Sequence, residues 1–176
     1  MSALHWYFAY GSNMQPATFR GRRGIEPVET VPARLDEWQL VVDKPPLIPL
    51  GHAMANVVRV AGGAVYGVAY AITTDDLAHV DLTEGVAIGN YERVAVDVVT
   101  LDGGARLAAH TLTSERRDPG LRPSDRYMSL LIEGAEVHGL PGDYLAWLRD
   151  IPCLPESAEA KKIRAFIDQA MKKEPR

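Results

Sequence analysis

The first structural signal in the chain is the run Leu4-His5-Trp6-Tyr7-Phe8-Ala9-Tyr10-Gly11-Ser12-Asn13. An apolar, aromatic run that stops at a glycine is typical of a buried strand that passes into a tight loop. Glycine lets the backbone turn sharply and approach a ligand, and the amides after it can converge on an anion. The same residues also fit an ordinary turn in which Ser12 or Asn13 caps a short helix at 15–20. Both interpretations remain open from the spacing alone.

Alternating patterns farther along the chain predict an antiparallel sheet. The region 28–42 reads as one long bent strand or two, and 43–52, with three prolines and a glycine, predicts a surface loop. Two further pairs of strands each have a glycine-rich hairpin signal between them. These pairs are Met54–Val60 with Ala64–Ile72 through Gly62-Gly63, and Tyr91–Leu101 with Ala105–Thr113 through Asp102-Gly103-Gly104.

Helical spacing follows the strands rather than alternating with them. Helices are predicted at Thr73–Glu84, Pro123–His138, Pro141–Arg149 and Glu156–Lys173. Such segregation favours an α+β fold, in which a small, mostly antiparallel sheet curls into a barrel with flanking helices. No linker divides the sequence, so we expect a single domain over residues 1–176.

Composition excludes several classes of protein. The 176 residues are 47% hydrophobic and 24% charged with a net charge of −4, which is ordinary for a globular domain and provides no basic footprint for nucleic acid. The one cysteine allows no internal disulfide and fits a reducing compartment. Because no secretory signal or membrane-spanning run is present, we expect a cytoplasmic protein without nucleic-acid or membrane partners.

Glu84 is the strongest candidate for a chemical role. Leu77, Val80 and Glu84 fall on one face of the predicted helix 73–84, so the carboxylate continues the apolar stripe. Carboxylates on such a face are rare unless they are paired or used. Both the helix C-terminus and desolvation disfavour the charged form there, which suits a group that exchanges protons near neutrality. The alternative is a frayed helix end from which the side chain reaches water.

Two tyrosines are weaker candidates. Tyr127 lies on the inward face of the predicted helix 123–138, and Tyr91 opens a strand just after the Glu84 turn. Tyrosines at such positions also occur as ordinary core residues with a satisfied hydroxyl. The five histidines show no metal-ligand spacing, and no phosphate loop, dinucleotide fingerprint or nucleophile elbow is present.

Several motifs taken together resemble the γ-glutamylcyclotransferase family. In order, they are Tyr7-Phe8-Ala9-Tyr10-Gly11-Ser12-Asn13-Met14, Val65-Tyr66-Gly67-Val68-Ala69-Tyr70, Leu82-Thr83-Glu84-Gly85-Val86 with Tyr91, Pro123-Ser124-Asp125-Arg126-Tyr127, and Gly134-Ala135-Glu136-Val137-His138-Gly139-Leu140-Pro141. Each block is common by itself, and the ordered set is specific. It spans about residues 7–148.

The resemblance implies a barrel-like α+β fold and a metal-free, cofactor-free reaction that converts a γ-glutamyl amino acid or amine to 5-oxoproline. It implies that Glu84 is the general acid/base. It also implies a substrate-binding set formed by Tyr7, Phe8, Ala9, Tyr10, Gly11, Ser12, Asn13, Tyr91 and Tyr127. The expected partner is a small γ-glutamyl substrate, bound by a monomer or homodimer. Two alternatives stay open: an enzyme that removes a γ-glutamyl group from a biosynthetic intermediate, and a non-catalytic binder of small carboxylates.

Overall fold

The computed structural model describes residues 3–48 and 50–170. Five strands come before most of the helices, with one helix between the third and fourth strands. The elements are β1 (Leu4–Ala9), β2 (Glu29–Lys44), β3 (Met54–Thr73), α1 (Thr74–Glu84), β4 (Glu92–Thr100), β5 (Arg106–Thr113), α2 (Asp125–Val137), α3 (Gly142–Asp150) and α4 (Ala158–Ala170). Among these residues, no helix has both the length and the apolar character that crossing a bilayer requires.

The five strands close into a barrel in the order β1-β3-β2-β4-β5. All neighbouring strands are antiparallel except β1 and β5, whose parallel pairing places Trp6 beside Ala109 and Tyr7 beside His110. The barrel closes through short contacts, because β2 and β4 pair at only two positions, Ala33–Thr100 and Arg34–Val99. The predicted fold class, an α+β fold around a mostly antiparallel barrel, is therefore confirmed. Buried residues from all five strands and from α1, α2 and α3 form one contiguous core.

The predicted hairpin at Gly62-Gly63 is wrong, because β3 continues through both glycines as one strand of 20 residues. The register is interrupted between the pairs Asp36–Ala64 and Trp38–Arg59, where residues 60–63 of β3 bulge opposite the single β2 residue Glu37, which has a positive φ of 66°. A Cβ on Gly63 would lie only 2.5 Å from the Trp38 carbonyl oxygen. The glycines thus accommodate a bulge in a long strand pair. The other predicted hairpin, between β4 and β5, is confirmed.

Helix α1 begins and ends where its capping residues predict. Thr73 Oγ1 accepts a hydrogen bond of 3.1 Å from the Asp76 amide, and the Asp76 side chain reaches back to the Thr73 amide. At the other end Gly85 adopts a left-handed conformation with φ of 72°. Leu77 and Val80 are buried, so this helix places Glu84 at its inner end.

The predicted short helix at 15–20 corresponds to a wide π-helical turn at Ala17–Arg22, which follows a tighter 3₁₀ turn at Ser12–Met14. Helix α2 packs directly on this 3₁₀ turn at Gly134. A Cβ there would lie 2.6 Å from Met14 Cβ and 2.8 Å from the Gln15 amide nitrogen. This close approach presses the loop after β1 against α2 and fixes its position.

The remaining helices lie within a few residues of their predicted bounds. Ser124 caps α2 by accepting a 3.0 Å hydrogen bond from the Tyr127 amide. The predicted end of the last helix at Lys173 lies outside the described residues, and α4 is described to Ala170.

Candidate active site

A cavity of about 360 Å³ opens beside the end of α1 and the loop after β1. Its volume lies within the range of small-molecule sites. The residues that line it come from distant parts of the chain: Tyr7, Tyr10, Gly11, Ser12, Asn13, Arg22, Arg23, Pro46, Leu47, Ile48, Leu50, Met54, Ala55, Thr83, Glu84, Tyr91, Leu112, Tyr127 and Ile167. The structure therefore brings Glu84, the glycine loop and both candidate pocket tyrosines to one space.

Glu84 faces this cavity with its carboxylate held on one side. Asn13 Nδ2 donates a 3.0 Å hydrogen bond to Glu84 Oε1, and Arg23 Nη2 forms an ion pair with the same oxygen. The Glu84 side chain is 19% exposed, so it is neither frayed into solvent nor fully enclosed. Within the part of the chain that the structure describes, Oε2 is the oxygen left available to a ligand.

Asn13 connects the glycine loop to the carboxylate. Its side chain is buried and donates a second 3.0 Å hydrogen bond to the Tyr7 hydroxyl oxygen, while its Oδ1 accepts a 2.6 Å bond from Arg23 Nε. All of the polar atoms of this amide therefore have partners. The side chain of Asn13 positions Glu84, Tyr7 and Arg23 rather than capping a helix.

Arg23 is a site residue that the sequence analysis missed. The basic cluster at 20–23 is typical of an exposed turn, yet the Arg23 side chain is only 11% exposed. Besides Asn13 and Glu84, its guanidinium donates to Thr83 Oγ1. No local pattern signals this role, because the partners lie about 60 residues away and meet only in the closed barrel.

Tyr127 and Tyr91 share one peptide unit as their partner. The Tyr127 hydroxyl accepts a 3.0 Å hydrogen bond from the Ala55 amide, and the Tyr91 hydroxyl donates a 2.8 Å bond to the Ala55 carbonyl. Ala55 lies where the β2–β3 register is interrupted, between the pairs Val41–Asn56 and Lys44–Met54. The two tyrosine hydroxyls thus bond to the backbone groups of Ala55 that this interruption of the register leaves unpaired. Both tyrosines also line the cavity.

The pocket tyrosines remain neutral hydroxyls at ordinary pH. Burial, followed by the nearby Glu84 charge, raises the pKa of Tyr7 well above its usual value. Burial likewise raises the pKa of Tyr127, and the Ala55 hydrogen bond opposes this only in part. The site therefore offers one carboxylate surrounded by neutral hydroxyl groups.

Not all of the predicted binding residues reach the cavity. Phe8 and Ala9 are both buried in the core and are absent from the described cavity lining. Tyr10 lines the cavity while its hydroxyl donates a 2.6 Å hydrogen bond to the Leu112 carbonyl. A Cβ added to Gly11 would lie 3.5 Å from the Tyr127 hydroxyl, so a larger side chain at this position would contact that tyrosine.

A buried polar cluster supports the turn that follows Glu84. Asn90 Nδ2 donates a 2.9 Å hydrogen bond to the Glu84 carbonyl oxygen. Asn90 Oδ1 accepts from Lys44 Nζ at 2.6 Å and from Arg116 Nη1 at 2.9 Å. Lys44 is 1% exposed, and its ammonium lies 4.3 Å from the centre of the Tyr91 ring. Burial and then Arg116 lower the pKa of Lys44 to about 8, with Glu84 acting in the opposite direction.

The segment 45–50, predicted only as a surface loop, also forms a wall of the cavity. Its described lining side chains are Pro46, Leu47, Ile48 and Leu50. Ile167 of α4 lines the cavity as well. The three prolines of this segment predicted an irregular backbone. They did not predict which way its apolar side chains face.

Comparisons with known proteins show which sequences and folds this chain resembles. A family model described as the AIG2-like family matches residues 64–148. Gamma-glutamyl cyclotransferase aclK of Aspergillus oryzae is 31% identical, with 93% of this chain and 68% of that protein covered. Gamma-glutamylcyclotransferase of Bos taurus is 30% identical, with 82% and 77% covered. A solved structure named Gamma-glutamyl cyclotransferase superposes with a TM-score of 0.75 at 24% identity, covering 93% of this chain and 99% of that one.

Proposed function

We propose, from the premise that this chain belongs to the γ-glutamylcyclotransferase family, that it converts a γ-glutamyl amino acid or amine to 5-oxoproline with Glu84 as general acid/base. Its similarity to the Aspergillus and bovine cyclotransferases supports an enzyme of this general kind. The substrate and the role of Glu84 are the parts that the proposal adds.

One observation carries the role of Glu84. Glu84 lines the cavity with Oε1 held by Asn13 and Arg23, while no described residue bonds to Oε2. An acid/base catalyst needs this combination of fixed orientation and one accessible oxygen. No other carboxylate is among the described residues that line the cavity.

The proposed reaction needs only proton transfer and correct folding of the substrate. The α-nitrogen of the γ-glutamyl group attacks its own γ-carbonyl carbon, and a five-membered lactam forms as the bond to the leaving nitrogen breaks. Two protons pass from the attacking nitrogen, which begins as an ammonium, to the leaving nitrogen, which departs as one. Glu84 carries these protons in turn. Because nucleophile and electrophile belong to one molecule, holding it bent supplies much of the rate.

The neighbouring groups have matching roles in this proposal. The backbone of Gly11–Asn13 and the neutral hydroxyl of Tyr7 provide donors for the oxygen atoms of the substrate. Tyr127 and Tyr91 form the walls against which the γ-glutamyl chain bends. Arg23 and Asn13 keep the carboxylate in place, so they position the catalyst without themselves transferring protons.

The test is to incubate the protein with γ-glutamyl dipeptides and γ-glutamyl amines and to measure 5-oxoproline. Glu84→Gln is expected to lower kcat by at least about 100-fold while the circular dichroism spectrum stays unchanged. Glu92→Gln is the matched control, because Glu92 is exposed on β4 and does not line the cavity. Full activity of Glu84→Gln would remove Glu84 from the mechanism. Binding of 5-oxoproline with no turnover of any substrate would favour a carboxylate binder instead.

A further inference from the structure

One side of the cavity is made of apolar side chains that the proposed reaction does not use. We call this side the apolar wall. Its members are Pro46, Leu47, Ile48, Leu50, Met54 and Ile167.

The apolar wall lies directly beside the proposed base. Leu47 Cδ1 is 3.2 Å from the position that a Cβ would take on Gly85, the residue after Glu84. Met54 precedes Ala55, whose peptide holds the hydroxyls of the two pocket tyrosines. The wall therefore faces the same space as Glu84, and a substrate at the carboxylate must extend along it.

Hydrogen bonds and an ion pair hold the wall in place. Lys44 Nζ donates a 3.0 Å bond to the Pro45 carbonyl oxygen, and His52 Nδ1 lies 3.2 Å from the Leu50 carbonyl oxygen. An ion pair of 3.3 Å between Arg22 and Asp168 places α4, which carries Ile167, beside the cavity.

We propose that the apolar wall is a leaving-group subsite, selecting γ-glutamyl compounds whose departing amine carries an aliphatic or aromatic side chain. The inference rests on the proposed function, since a leaving group exists only if the γ-glutamyl bond is cleaved. The occupant is either an apolar amino acid or the corresponding amine, because the wall recognises the side chain that the two share.

Exposure and charge both favour an apolar occupant. Leu47 is 48% and Ile48 43% exposed, so an apolar side chain placed on them removes apolar surface of both partners from water. A carboxylate, ammonium or amide group there would lose hydration and gain no hydrogen bond from the described side chains of the wall. The charged residues that line the cavity are Arg22, Arg23 and Glu84, and each has an ion-pair partner.

The experiment compares kcat/KM for substrates that differ only in the leaving group. γ-Glutamyl-leucine and γ-glutamyl-asparagine have side chains of similar size and opposite polarity, and γ-glutamyl-isopentylamide keeps the leucine side chain without its carboxylate. We expect γ-glutamyl-leucine to exceed γ-glutamyl-asparagine by about 10-fold or more. The isopentylamide distinguishes the two possible leaving groups. If its kcat/KM equals that of the leucine compound, the leaving group is an amine. If its kcat/KM is much lower, the leaving group is an amino acid.

A variant of the wall tests whether the preference arises there. Leu47→Asn is expected to lower kcat/KM for γ-glutamyl-leucine by about 10-fold and to bring the leucine-to-asparagine ratio close to one. Leu154→Asn is the matched control, because Leu154 is 50% exposed and is not part of the cavity lining. This control is expected to keep both the activity and the ratio of the natural chain.

Failure of the subsite and failure of the proposed function give different results. Turnover of all substrates without preference for leucine, or an unchanged ratio in Leu47→Asn, overturns the subsite and leaves the cyclisation intact. If no substrate yields 5-oxoproline, calorimetry decides the subsite instead. Tighter binding of γ-glutamyl-leucine than of γ-glutamyl-asparagine, lost in Leu47→Asn, supports an apolar subsite, and equal binding overturns it.

Discussion

The guanidinium of Arg23 forms an ion pair with the carboxylate of Glu84 across 61 positions of sequence, and both side chains are largely enclosed. The pair joins the turn after β1 to the C-terminal end of α1. It fixes one oxygen of Glu84 and, through Asn13, the hydroxyl of Tyr7. Removing either partner leaves a charge in a confined place without its counterion.

The Arg23–Glu84 pair is expected to show strong energetic coupling. Arg23→Met should lower the free energy of unfolding by about 1–3 kcal/mol, because Glu84 keeps its charge without a partner. The double variant Arg23→Met/Glu84→Gln should lose less than the sum of the two single losses. Urea unfolding of the four proteins measures the coupling energy. The exposed pair Arg149–Glu136, with side chains 52% and 45% exposed, is the control and should couple by less than about 1 kcal/mol. Additive losses at Arg23 and Glu84 would contradict this prediction.

The hydroxyls of Tyr127 and Tyr91, which both bond to the Ala55 peptide, should contribute different amounts to the free energy of unfolding. Tyr127→Phe leaves the Ala55 amide without an acceptor, and we expect a loss of about 1–3 kcal/mol in the free energy of unfolding. Tyr91→Phe removes a donor from the Ala55 carbonyl, a group that tolerates partial satisfaction better, so its loss should be smaller. Chemical unfolding of both variants compares them, and an equal or reversed order would show that the amide has another partner.

Two glycines near Glu84 share the same backbone conformation and differ in their surroundings. Gly85 (φ 72°) is crowded, since a Cβ would lie 3.1 Å from Asn90 Cβ and 3.2 Å from Leu47 Cδ1, whereas a Cβ on Gly89 (φ 70°) meets nothing within 4 Å. Gly89→Ala should therefore cost about 1 kcal/mol for the left-handed conformation alone. Gly85→Ala should cost at least about 1 kcal/mol more and lower kcat as Glu84 shifts. Thermal unfolding and activity assays measure both effects, and equal losses would show that the Gly85 turn absorbs the methyl group.

The lowered pKa of Lys44 predicts that the free energy of unfolding rises with pH in the alkaline range. Its pKa is lowered from 10.5 to about 8 in the folded chain, so between these values the unfolded state binds more protons and stability rises with pH. Between pH 8 and 10.5 the free energy of unfolding of the natural chain should rise by on the order of 2 kcal/mol relative to that of Lys44→Met. Below pH 7.5 the difference between the two proteins should stay constant. Urea unfolding over this range measures it. Lys162→Met, at an exposed position on α4, should show no such trend. A flat difference for Lys44→Met would mean that the ammonium keeps its ordinary pKa.

Local patterns in the sequence predicted the parts of the structure that depend on near neighbours. The caps Thr73 and Gly85 set the ends of α1, and the apolar stripe through Leu77 and Val80 placed Glu84 at the inner face. These features arise from spacing and backbone preference within a few residues. The γ-glutamyl activity expected for Glu84 stays a prediction.

Features that depend on contacts between distant segments could not be predicted in this way. The position of Gly62-Gly63 in a β3 bulge opposite Glu37 follows from the register of two long strands, and a glycine pair by itself favours a hairpin. The enclosure of Arg23 depends on partners about 60 residues away. The direction of Leu47 depends on where the Gly85 turn lies.

The parallel pairing of β1 with β5 sets the order in which function can appear during synthesis. Of the five barrel strands β1 is synthesised first, and Tyr10, just after it, has its hydrogen-bond partner, the Leu112 carbonyl, 102 residues farther along the chain. Tyr127 and Ile167, which also line the cavity, follow later still. Contacts of such long sequence separation form slowly, so one edge of β1 stays unpaired until β5 has been synthesised. A nascent chain that stops before β5 cannot close this barrel and therefore lacks the complete cavity.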